Sequence, residues 1–552
     1  MAAAQMPLPA LCPAQRRVAP YLALLLLLAV LAGAACSDPG ARRPQRAGPG
    51  QAPPLENLVW ITIDTQRADR LALFGGHVET PHLARLAERG VVFERAYTHA
   101  PMTGPAHASM FTGLIPRHHG VRNNGQRLAA RHQTLAEILS AGGRRTAAFV
   151  SLDAMSPKYG FDQGFDLYDL RTRRLWWMNA AELNEALLPW LRTVKPPFFL
   201  FAHYSDPHGP YLPPAWYGRV HITGPGGRTQ TVTADFRRAE FTLELAPGDN
   251  AVRFAAEGRF PLRPFYWRYD PELSLRFGEG FELVRPGAPQ IPRNFLLRPG
   301  RVGVVHIHRK EGGNGLKRYP MRFELRAQMT PEEKRAGYDL ETAYADAEIG
   351  RLLDLLRARG LLERTAIVVT GDHGEQLGES GYFGHVHNLH RRILHVPLIV
   401  VAPGWMPAGR RVSTPVALVD LLPTLLPLLG LPLPREPLDG RNLLPLDAID
   451  LRPILSSTFR PQARAEKHSA LLGPYRLERV RQPGGDDLFH LYDIEADPEE
   501  RHDLYPQYRS DGTLRTIVTR LGPLLGGAGV APETVPLSDE DREALRALGY
   551  IE

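Results

Sequence analysis

A chain of 552 residues is too long for one ordinary hydrophobic core, so its length predicts a large domain with one or two smaller ones. Hydrophobic residues make up 43% of the chain and charged residues 23%, a balance that excludes a largely disordered protein. The net charge of +7 comes from scattered basic residues without interleaved aromatics, which argues against a nucleic-acid partner.

The N-terminal segment has the features of an export signal. Arg16 and Arg17 precede an apolar run over residues 18–35, and Cys36 follows directly. The tetrapeptide 33–36, Gly-Ala-Ala-Cys, resembles a bacterial lipoprotein cleavage box, which would leave Cys36 as a lipidated first residue. An uncleaved signal anchor is the alternative, because the run is just long enough to span a bilayer. Both readings predict an exported, membrane-anchored protein of a bacterial-type cell envelope that faces the periplasm or the cell surface.

Residues 1–36 are therefore assigned to the signal, and residues 37–54, rich in Pro, Gly and Arg, to a flexible linker. The only cysteines are Cys12 and Cys36, so the body of the protein contains no disulfide and no thiolate metal site.

Strand and helix patterns alternate over residues 55–218 and 329–455. The predicted strands are 58–63, 146–150, 198–203, 366–370 and 397–401. The predicted helices are 81–88 with Thr80 as N-cap, 134–140, and a long helix from a capping box at Thr330 to about residue 358. This alternation predicts an α/β fold, a parallel sheet that lies between helices on both faces.

Two other segments interrupt or follow that pattern. Residues 219–328 contain short β patterns separated by Gly and Pro turns and no helix pattern, which predicts an inserted all-β module such as a sandwich. Residues 456–552 predict a small C-terminal α+β subdomain, with strands near 475–480 and 488–492.

Acidic and imidazole side chains follow three of the predicted strands. Asp64 follows the first strand, Asp206 and His208 follow the strand 198–203, and Asp372 and His373 follow the strand 366–370. Ligands bind at this edge of open α/β sheets, because loops converge there. A single Asp in such a place is usually a turn or capping residue, whereas three such strand ends indicate a metal or oxyanion site. We expect Asp64, Asp372 and His373 to bind one divalent cation, either Ca, Mg, Mn or Zn.

The segment 101–113 supplies a nucleophile, Thr103, and here the sequence resembles the sulfatases. Their signature is Cys or Ser, any residue, Pro, Ser, Arg and a short stretch that ends in Thr-Gly. Laid on this chain, the signature places Thr103 at the nucleophile and His107 at the Arg. The resemblance extends to segments 63–69, 203–211, 371–375, 384–387, 438–441 and 548–550.

This resemblance implies an alkaline-phosphatase-like fold and a set of site residues. Asp64, Thr103, Asp372 and His373 would be metal ligands, and Thr103, His107 and His208 would be catalytic. Asn124, His208, His385 and His387 would contact the anionic head of the substrate, a phosphate or sulfate ester that a glycan or a lipid carries.

Departures from the signature bear on the chemistry. Sulfatases use formylglycine made from Cys or Ser, and oxidation of Thr103 at its β-carbon would give a ketone instead. A Lys and a His of many sulfatases are also replaced, with Ser151 and Asp153 near their positions. Double-zinc relatives need a His four residues after Asp206, where Pro210 stands, so one metal is expected.

These observations favour a metal-dependent phosphoester hydrolase, acting on mono- or diesters, or a phosphoryl transferase that works through Thr103. Two alternatives stay open. One is a sulfuric ester hydrolase without formylglycine, and the other is a non-catalytic lipoprotein that binds an anionic glycan.

Overall fold

An eight-stranded sheet forms the centre of the computed structural model. The structure describes residues 52–170, 178–234, 238–310, 315–379, 381–459, 465–482, 484–527, 529–539, 541–542 and 545. The export signal, Cys36, most of the linker and the motif 548–550 lie outside these residues. Pro53–Glu552 forms one compact unit.

The strands of the central sheet follow an order that crosses back and forth along the chain. From one edge to the other they are Arg410–Val412, Val91–Phe93, Leu398–Val401, Thr365–Gly371, Asn57–Ile63, Phe198–Tyr204, Arg145–Val150 and Leu167–Leu170. Asn57–Ile63 pairs in parallel with Thr365–Gly371 on one side and Phe198–Tyr204 on the other. Leu398–Val401 is antiparallel to both of its neighbours, so the expectation of a wholly parallel sheet is wrong for this strand.

Helices cover both faces of the sheet, as the sequence predicts. The central strand is buried throughout, and its alternate side chains enter two separate cores: Leu58 and Trp60 one, Val59 and Ile61 the other. The first core includes side chains of helices Thr103–Thr112, Leu135–Ala141 and Leu421–Leu428, and the second those of helices Pro81–Ala87, Ala180–Thr193 and Pro331–Ala358. Hydrophobic burial on two faces therefore fixes the sheet that carries the site.

Capping boxes begin three of these helices, with Thr134, Asn179 and Thr330 as N-caps, and the sequence predicted the one at Thr330. The side chain of Thr80 caps nothing, so that expectation is wrong. Instead, the carboxylate of Asp346, on the helix Pro331–Ala358, accepts hydrogen bonds from the backbone N–H groups of His82 and Leu83. A charged acceptor from a neighbouring helix thus satisfies the free amides of this helix start.

Between the two parts of the α/β unit, ten strands form two five-stranded sheets. One contains Arg238–Leu245, Lys317–Ala327, Leu262–Arg268, Phe295–Leu297 and Phe281–Leu283, and the other contains Leu273–Phe277, Val302–Arg309, Gly248–Glu257, Gly218–Thr223 and Thr229–Ala234. Their inner side chains form one apolar core, in which Phe241 and Phe254 meet edge to face. The all-β character predicted for residues 219–328 is thus observed.

The C-terminal part contains a four-stranded antiparallel sheet, Ile454–Thr458, Glu466–Leu472, Tyr475–Arg481 and Leu488–Asp493, against which the helix Gly512–Leu521 packs. The remaining short elements are the helices Pro116–His119 and Arg391–Leu394 and three small sheets built from Ala96–Tyr97, His395–Val396 and Val416–Ala417, from Gln376–Leu377 and Phe383–Gly384, and from Gln126–Arg127 and Glu533–Thr534. None of the helices in the described ranges combines the length and the hydropathy needed to cross a membrane.

Candidate active site and metal centre

Three of the predicted ligands meet at the carboxyl ends of two adjacent strands. Ile63 lies opposite Gly371 in the parallel register, so Asp64 and the pair Asp372–His373 emerge side by side. His373 Nε2 lies 3.4 Å from Asp372 Oδ2 and 3.8 Å from Asp64 Oδ1. The ligand atoms of all three residues lie within 4.8 Å of one another, and all three side chains are fully buried. We call Asp64, Asp372 and His373 the metal cluster.

The hydrogen bonds around the metal cluster leave its inner atoms without protein partners. Asp372 Oδ1 accepts hydrogen bonds from the backbone N–H groups of Thr65 and His373. Thr65 adopts a left-handed conformation, φ 54°, that few non-glycine residues adopt. His373 Nδ1 donates to the Gly374 carbonyl, 3.1 Å away, so a neutral ring carries its lone pair on Nε2. Both oxygens of Asp64, Asp372 Oδ2 and His373 Nε2 have no partner within the described part of the chain.

The pKa values of the metal cluster also indicate that a positive charge fits between its side chains. Burial, reinforced by the carboxylates of Asp372 and Glu375, raises the pKa of Asp64 well above its usual value. Burial also raises the pKa of Asp372 to about 6 and lowers that of His373 well below its usual value. Buried carboxylates are stable in their charged form only beside a positive charge. Two carboxylates and one imidazole therefore fit a divalent cation of intermediate hardness.

Thr103 is the first residue of the buried helix Thr103–Thr112. Met102 is extended, and Pro105 occupies the first turn, where a missing N–H costs nothing. Gly113 ends the helix at φ 70°. The Oγ1 atom of Thr103 is buried and has no hydrogen-bond partner among the described residues.

His107 connects this helix to the metal cluster. Its Nδ1 lies 2.8 Å from the carbonyl oxygen of Thr103 and 3.8 Å from Asp372 Oδ2, and its Nε2 lies 3.1 Å from Thr62 Oγ1. Burial lowers the pKa of His107 to about 4, so the ring is neutral at pH 7. Because protein groups engage both ring nitrogens, these contacts support a positioning role for His107.

Asn124 contacts the same helix start. Its Oδ1 accepts a hydrogen bond of 2.7 Å from the backbone N–H of Gly104, and its Nδ2 has no hydrogen-bond partner in the described ranges. This bond fixes the orientation of the amide and leaves its N–H groups as donors beside Thr103.

Of the predicted imidazoles, His208 and His385 lie near the metal cluster. The ring centroid of His385 lies 4.4 Å from that of His373 and 5.4 Å from that of His208. His387 instead packs against Tyr382, with 4.8 Å between the ring centroids. Of the two histidines of the 384–387 loop, His385 thus lies against a ring of the metal cluster, at a tilted angle.

The structure also identifies residues to which the sequence reasoning gave no role. Glu375 is buried beside His385, with 3.1 Å between Glu375 Oε1 and His385 Nδ1, and burial raises its pKa to about 7. His203 Nε2 lies 3.7 Å from Asp64 Oδ2. Glu375 belongs to the quoted segment 371–375, so that motif was the signal for it. His203 begins the quoted segment 203–211, but it lies in a strand that is buried on both faces, where alternation does not distinguish a ligand from a packing residue.

Asp206, which follows the same strand as His208, does not belong to the metal cluster. Its Oδ2 accepts a hydrogen bond of 2.7 Å from the N–H of Ala180, the first residue of the helix Ala180–Thr193. Asp206 thus satisfies a free amide at the start of this helix, whose N-cap residue is Asn179.

Comparisons with known proteins identify the family of this chain. The family model described as Sulfatase matches residues 56–431. Arylsulfatase K of Bos taurus is 25% identical over 518 residues, which cover 90% of this chain and 88% of that protein. The N-acetylglucosamine-6-O-sulfatase of Bacteroides thetaiotaomicron is 22% identical, with 87% of each chain covered.

Among solved structures, the phosphonate monoester hydrolase of Agrobacterium radiobacter superposes with a TM-score of 0.57 at 19% identity. The match covers 87% of this chain and 100% of that one, and at this identity it shows a shared fold. The family match spans well over half of the chain, and members of this family typically bind a divalent metal. The chain therefore belongs to the sulfatase family, within the alkaline phosphatase superfamily, and is a hydrolase that acts on ester bonds.

Proposed function

We propose that this protein hydrolyses phosphoesters, mono- or diesters, with Thr103 as the nucleophile. The observation that carries the proposal is the identity and position of residue 103. A threonine at the start of a buried helix, joined to the metal cluster through His107, has a free hydroxyl and no route to formylglycine. Its β-carbon carries a methyl group, so oxidation there yields a ketone. Phosphorus accepts direct attack by an alkoxide, which makes a phosphoester the favoured substrate.

Asp64, Asp372 and His373 would hold the cation. When bound, it would supply a positive charge that polarises the ester oxygen and favours the ionised form of the Thr103 hydroxyl. Asn124 would donate from Nδ2 to a non-bridging oxygen of the ester, because Gly104 already occupies its Oδ1. The positive end of the helix Thr103–Thr112 adds to this stabilisation.

The reaction balances in two steps. The Thr103 oxygen forms a bond to phosphorus, the ester P–O bond breaks, and the leaving alcohol gains the equivalent of the proton that Thr103 loses. Water then cleaves the phosphothreonine and restores the hydroxyl. His208 protonates the leaving group in this proposal. Burial and the neighbouring His385 lower the pKa of His208 to about 4 in the free protein, and the negative charge of a bound ester would raise it.

A basic cavity of about 470 Å³ supports a substrate with more than one anionic group, such as a glycan or lipid-linked ester. One of its lining residues, Phe459, accepts a hydrogen bond from Nδ2 of Asn123, the neighbour of Asn124 in the sequence. Its other charged or imidazole lining residues are Arg117, Arg122, Arg479, Arg481, His468 and Glu466. A positive cavity raises the local concentration of polyanionic ligands at the surface where it opens.

A sulfuric ester hydrolase without formylglycine is the second candidate. It is favoured by the names of the relatives, which include arylsulfatase K and an N-acetylglucosamine-6-O-sulfatase. The third reading, a glycan-binding lipoprotein without activity, is opposed by the fully buried carboxylates of Asp64 and Asp372, which a binding surface does not need. Export and membrane attachment remain a proposal that rests on residues 16–36 alone.

Mass spectrometry after brief incubation with a phosphoester and acid quenching tests the nucleophile. We expect a phosphoryl adduct on Thr103 in the wild type. In Thr103→Ala, both the adduct and turnover should be absent. Parallel assays with matched phosphate and sulfate esters separate the two enzyme candidates. Turnover of sulfate esters alone, lost in Thr103→Ala, would refute the phosphoester proposal and support the second candidate.

A further inference from the structure

His203 is a buried imidazole beside the metal cluster for which the proposed reaction has no role. It lies in the strand Phe198–Tyr204, next to the strand that delivers Asp64, and its side chain is fully buried. Its Nε2 faces Asp64 Oδ2 at 3.7 Å. Neither atom has a hydrogen-bond partner among the residues that the structure describes.

The hydrogen bonds of Ser151 determine which nitrogen of His203 carries the proton. Ser151 Oγ lies 2.7 Å from the carbonyl oxygen of His203, and a carbonyl only accepts, so the hydroxyl donates its single hydrogen there. The same Oγ lies 3.0 Å from His203 Nδ1 and must therefore accept from an Nδ1–H. In the neutral ring, the lone pair is consequently on Nε2 and points toward Asp64.

Two buried acceptors that face each other are unstable without a positive charge between them. A doubly protonated His203 would form no hydrogen bond with Asp64 Oδ2 either, because 3.7 Å is too long for one, and Nε2–H would stay without an acceptor. Ligand atoms bound at about 2.0–2.2 Å to one ion are about 3–4 Å apart, and this separation falls in that range.

His373 shows the same pattern on the other oxygen of Asp64. Its Nδ1 donates to the Gly374 carbonyl, and its Nε2 lies 3.8 Å from Asp64 Oδ1. His107 differs although it forms a compact group with His203 and Asp372, because its Nδ1 donates to the Thr103 carbonyl and its Nε2 is close to the Thr62 hydroxyl. Its nitrogens are engaged, so His107 serves as the matched control.

We propose that His203 Nε2 is a further ligand of the divalent cation held by Asp64, Asp372 and His373, and that Ser151 fixes the tautomer this requires. The inference rests on the cation of the proposed function. A ligand set of two imidazoles and two carboxylates favours a transition metal such as Zn²⁺ or Mn²⁺ over Mg²⁺ and Ca²⁺.

Pulsed EPR of the full chain with one equivalent of Cu²⁺ as the probe metal tests this, because the spectrum counts coordinated imidazoles. We expect two in the wild type, one in His203→Gln and two in His107→Gln. Titration calorimetry with Zn²⁺ adds a second readout, in which Ser151→Ala lowers the affinity by about 10- to 100-fold, as is typical for loss of a group that orients a ligand.

One imidazole in the wild type would overturn the role of His203 and leave the cation of the proposed function intact. Two imidazoles in folded His203→Gln would overturn it as well. Failure of the wild type to bind Cu²⁺ and Zn²⁺ while it binds Mg²⁺ or Ca²⁺ would also overturn the role of His203. Failure to bind any of these cations or Mn²⁺ would refute the cation itself, and with it the proposed function. The wild-type spectrum decides the question even if His203→Gln does not fold.

Discussion

At the scale of single residues, Gly104 controls the position of Asn124. A Cβ added at Gly104 would lie 2.9 Å from Asn124 Oδ1, closer than such atoms approach. We therefore expect Gly104→Ala to displace the Asn124 amide and to lower kcat/KM by about 10²-fold, the typical effect of a displacement of about 1 Å in an active site. The substitution should not lower the melting temperature through helix propensity, because alanine has a higher helix propensity than glycine.

The matched control for this prediction is Gly512→Ala. Gly512 is the first residue of the helix Gly512–Leu521, and an added Cβ meets no atom within 4 Å there. Steady-state kinetics and thermal unfolding of both variants provide the comparison. Equal kcat/KM in the two variants would show that the Asn124 contact has no influence on turnover.

The residues of the metal cluster were predicted from the sequence, whereas His203, although it begins the quoted segment 203–211, was given no role. Asp64, Asp372 and His373 each follow a predicted strand, and the edge of a parallel sheet brings such residues together. His203 lies before the end of its strand, where both faces are buried, so that a packing role and a ligand role give the same pattern. Its chemistry depends on contacts with Ser151 and Asp64, which are distant in sequence.

At the scale of secondary structure, the start of the helix Pro81–Ala87 gives a matched pair of variants. Asp346 accepts from two backbone amides there, and Thr80 from none. We expect Asp346→Ala to lower the free energy of unfolding by about 0.5–2 kcal/mol, the usual cost of losing a cap, and Thr80→Ala to lower it less. Urea denaturation of the two variants measures this difference, and a larger loss in Thr80→Ala would contradict it.

The sequence predicted the type of most elements but not every direction. The strand Leu398–Val401 has the apolar pattern of its parallel neighbours, yet it is antiparallel to Thr365–Gly371. An apolar run shows that a strand is buried and carries no information on its direction, because side-chain alternation is the same both ways. The capping of Pro81–Ala87 by Asp346 could not be predicted from the local sequence pattern either, because 264 residues separate His82 and Asp346.

At the scale of the whole molecule, the buried acids predict how pH affects the cation-free protein. Burial raises the pKa of Asp372 to about 6 and those of Glu375 and Asp206 to about 7, all above their usual values. The unfolded chain releases these protons from about pH 4, whereas the folded chain retains them until pH 6–7. At these three groups the unfolded state thus binds fewer protons in this window, so their contribution to the free energy of unfolding falls as pH rises through it. His107 and His208, whose pKa burial lowers to about 4, act in the opposite direction below about pH 6.5, so the effect of the acids is measured by comparison with a variant.

In chelated protein, we expect the melting temperature at pH 8, relative to that at pH 5, to be higher in Asp206→Asn combined with Glu375→Gln than in the wild type. Added Mn²⁺ should raise the melting temperature of the wild type more at pH 8, because the cation binds the ionised carboxylates, and an excess of about 1,000 times Kd adds about 4 kcal/mol. Scanning calorimetry at both pH values measures this. An equal increase at the two values would contradict the prediction, and Asp64→Asn combined with Asp372→Asn should abolish the increase.

The all-β insert has its own hydrophobic core, so it can be deleted without removing core residues of the central sheet. Its apolar interior is a cluster separate from those of the central sheet, and the segments before and after it, at Trp216 and Met329, pack in one small cluster with Phe260. The two ends are therefore close enough for a short Gly-Ser linker to replace residues 219–327. Arg259, which stacks on Trp216 at 4.4 Å, is lost with the insert, so the melting temperature should fall.

We expect the shortened protein to keep its kcat/KM on a small aryl phosphoester, because no residue of the metal cluster or of the Thr103 helix lies in the insert. If the insert contacts large substrates, KM for a polymeric anionic ester should rise by about 10-fold, which corresponds to about 1.4 kcal/mol of lost binding. Steady-state kinetics on both substrates separate the two effects. Unchanged KM values for both substrates would indicate that the insert has only a structural role. Loss of turnover on the small ester, in protein that still binds the cation, would show that the insert shapes the site itself.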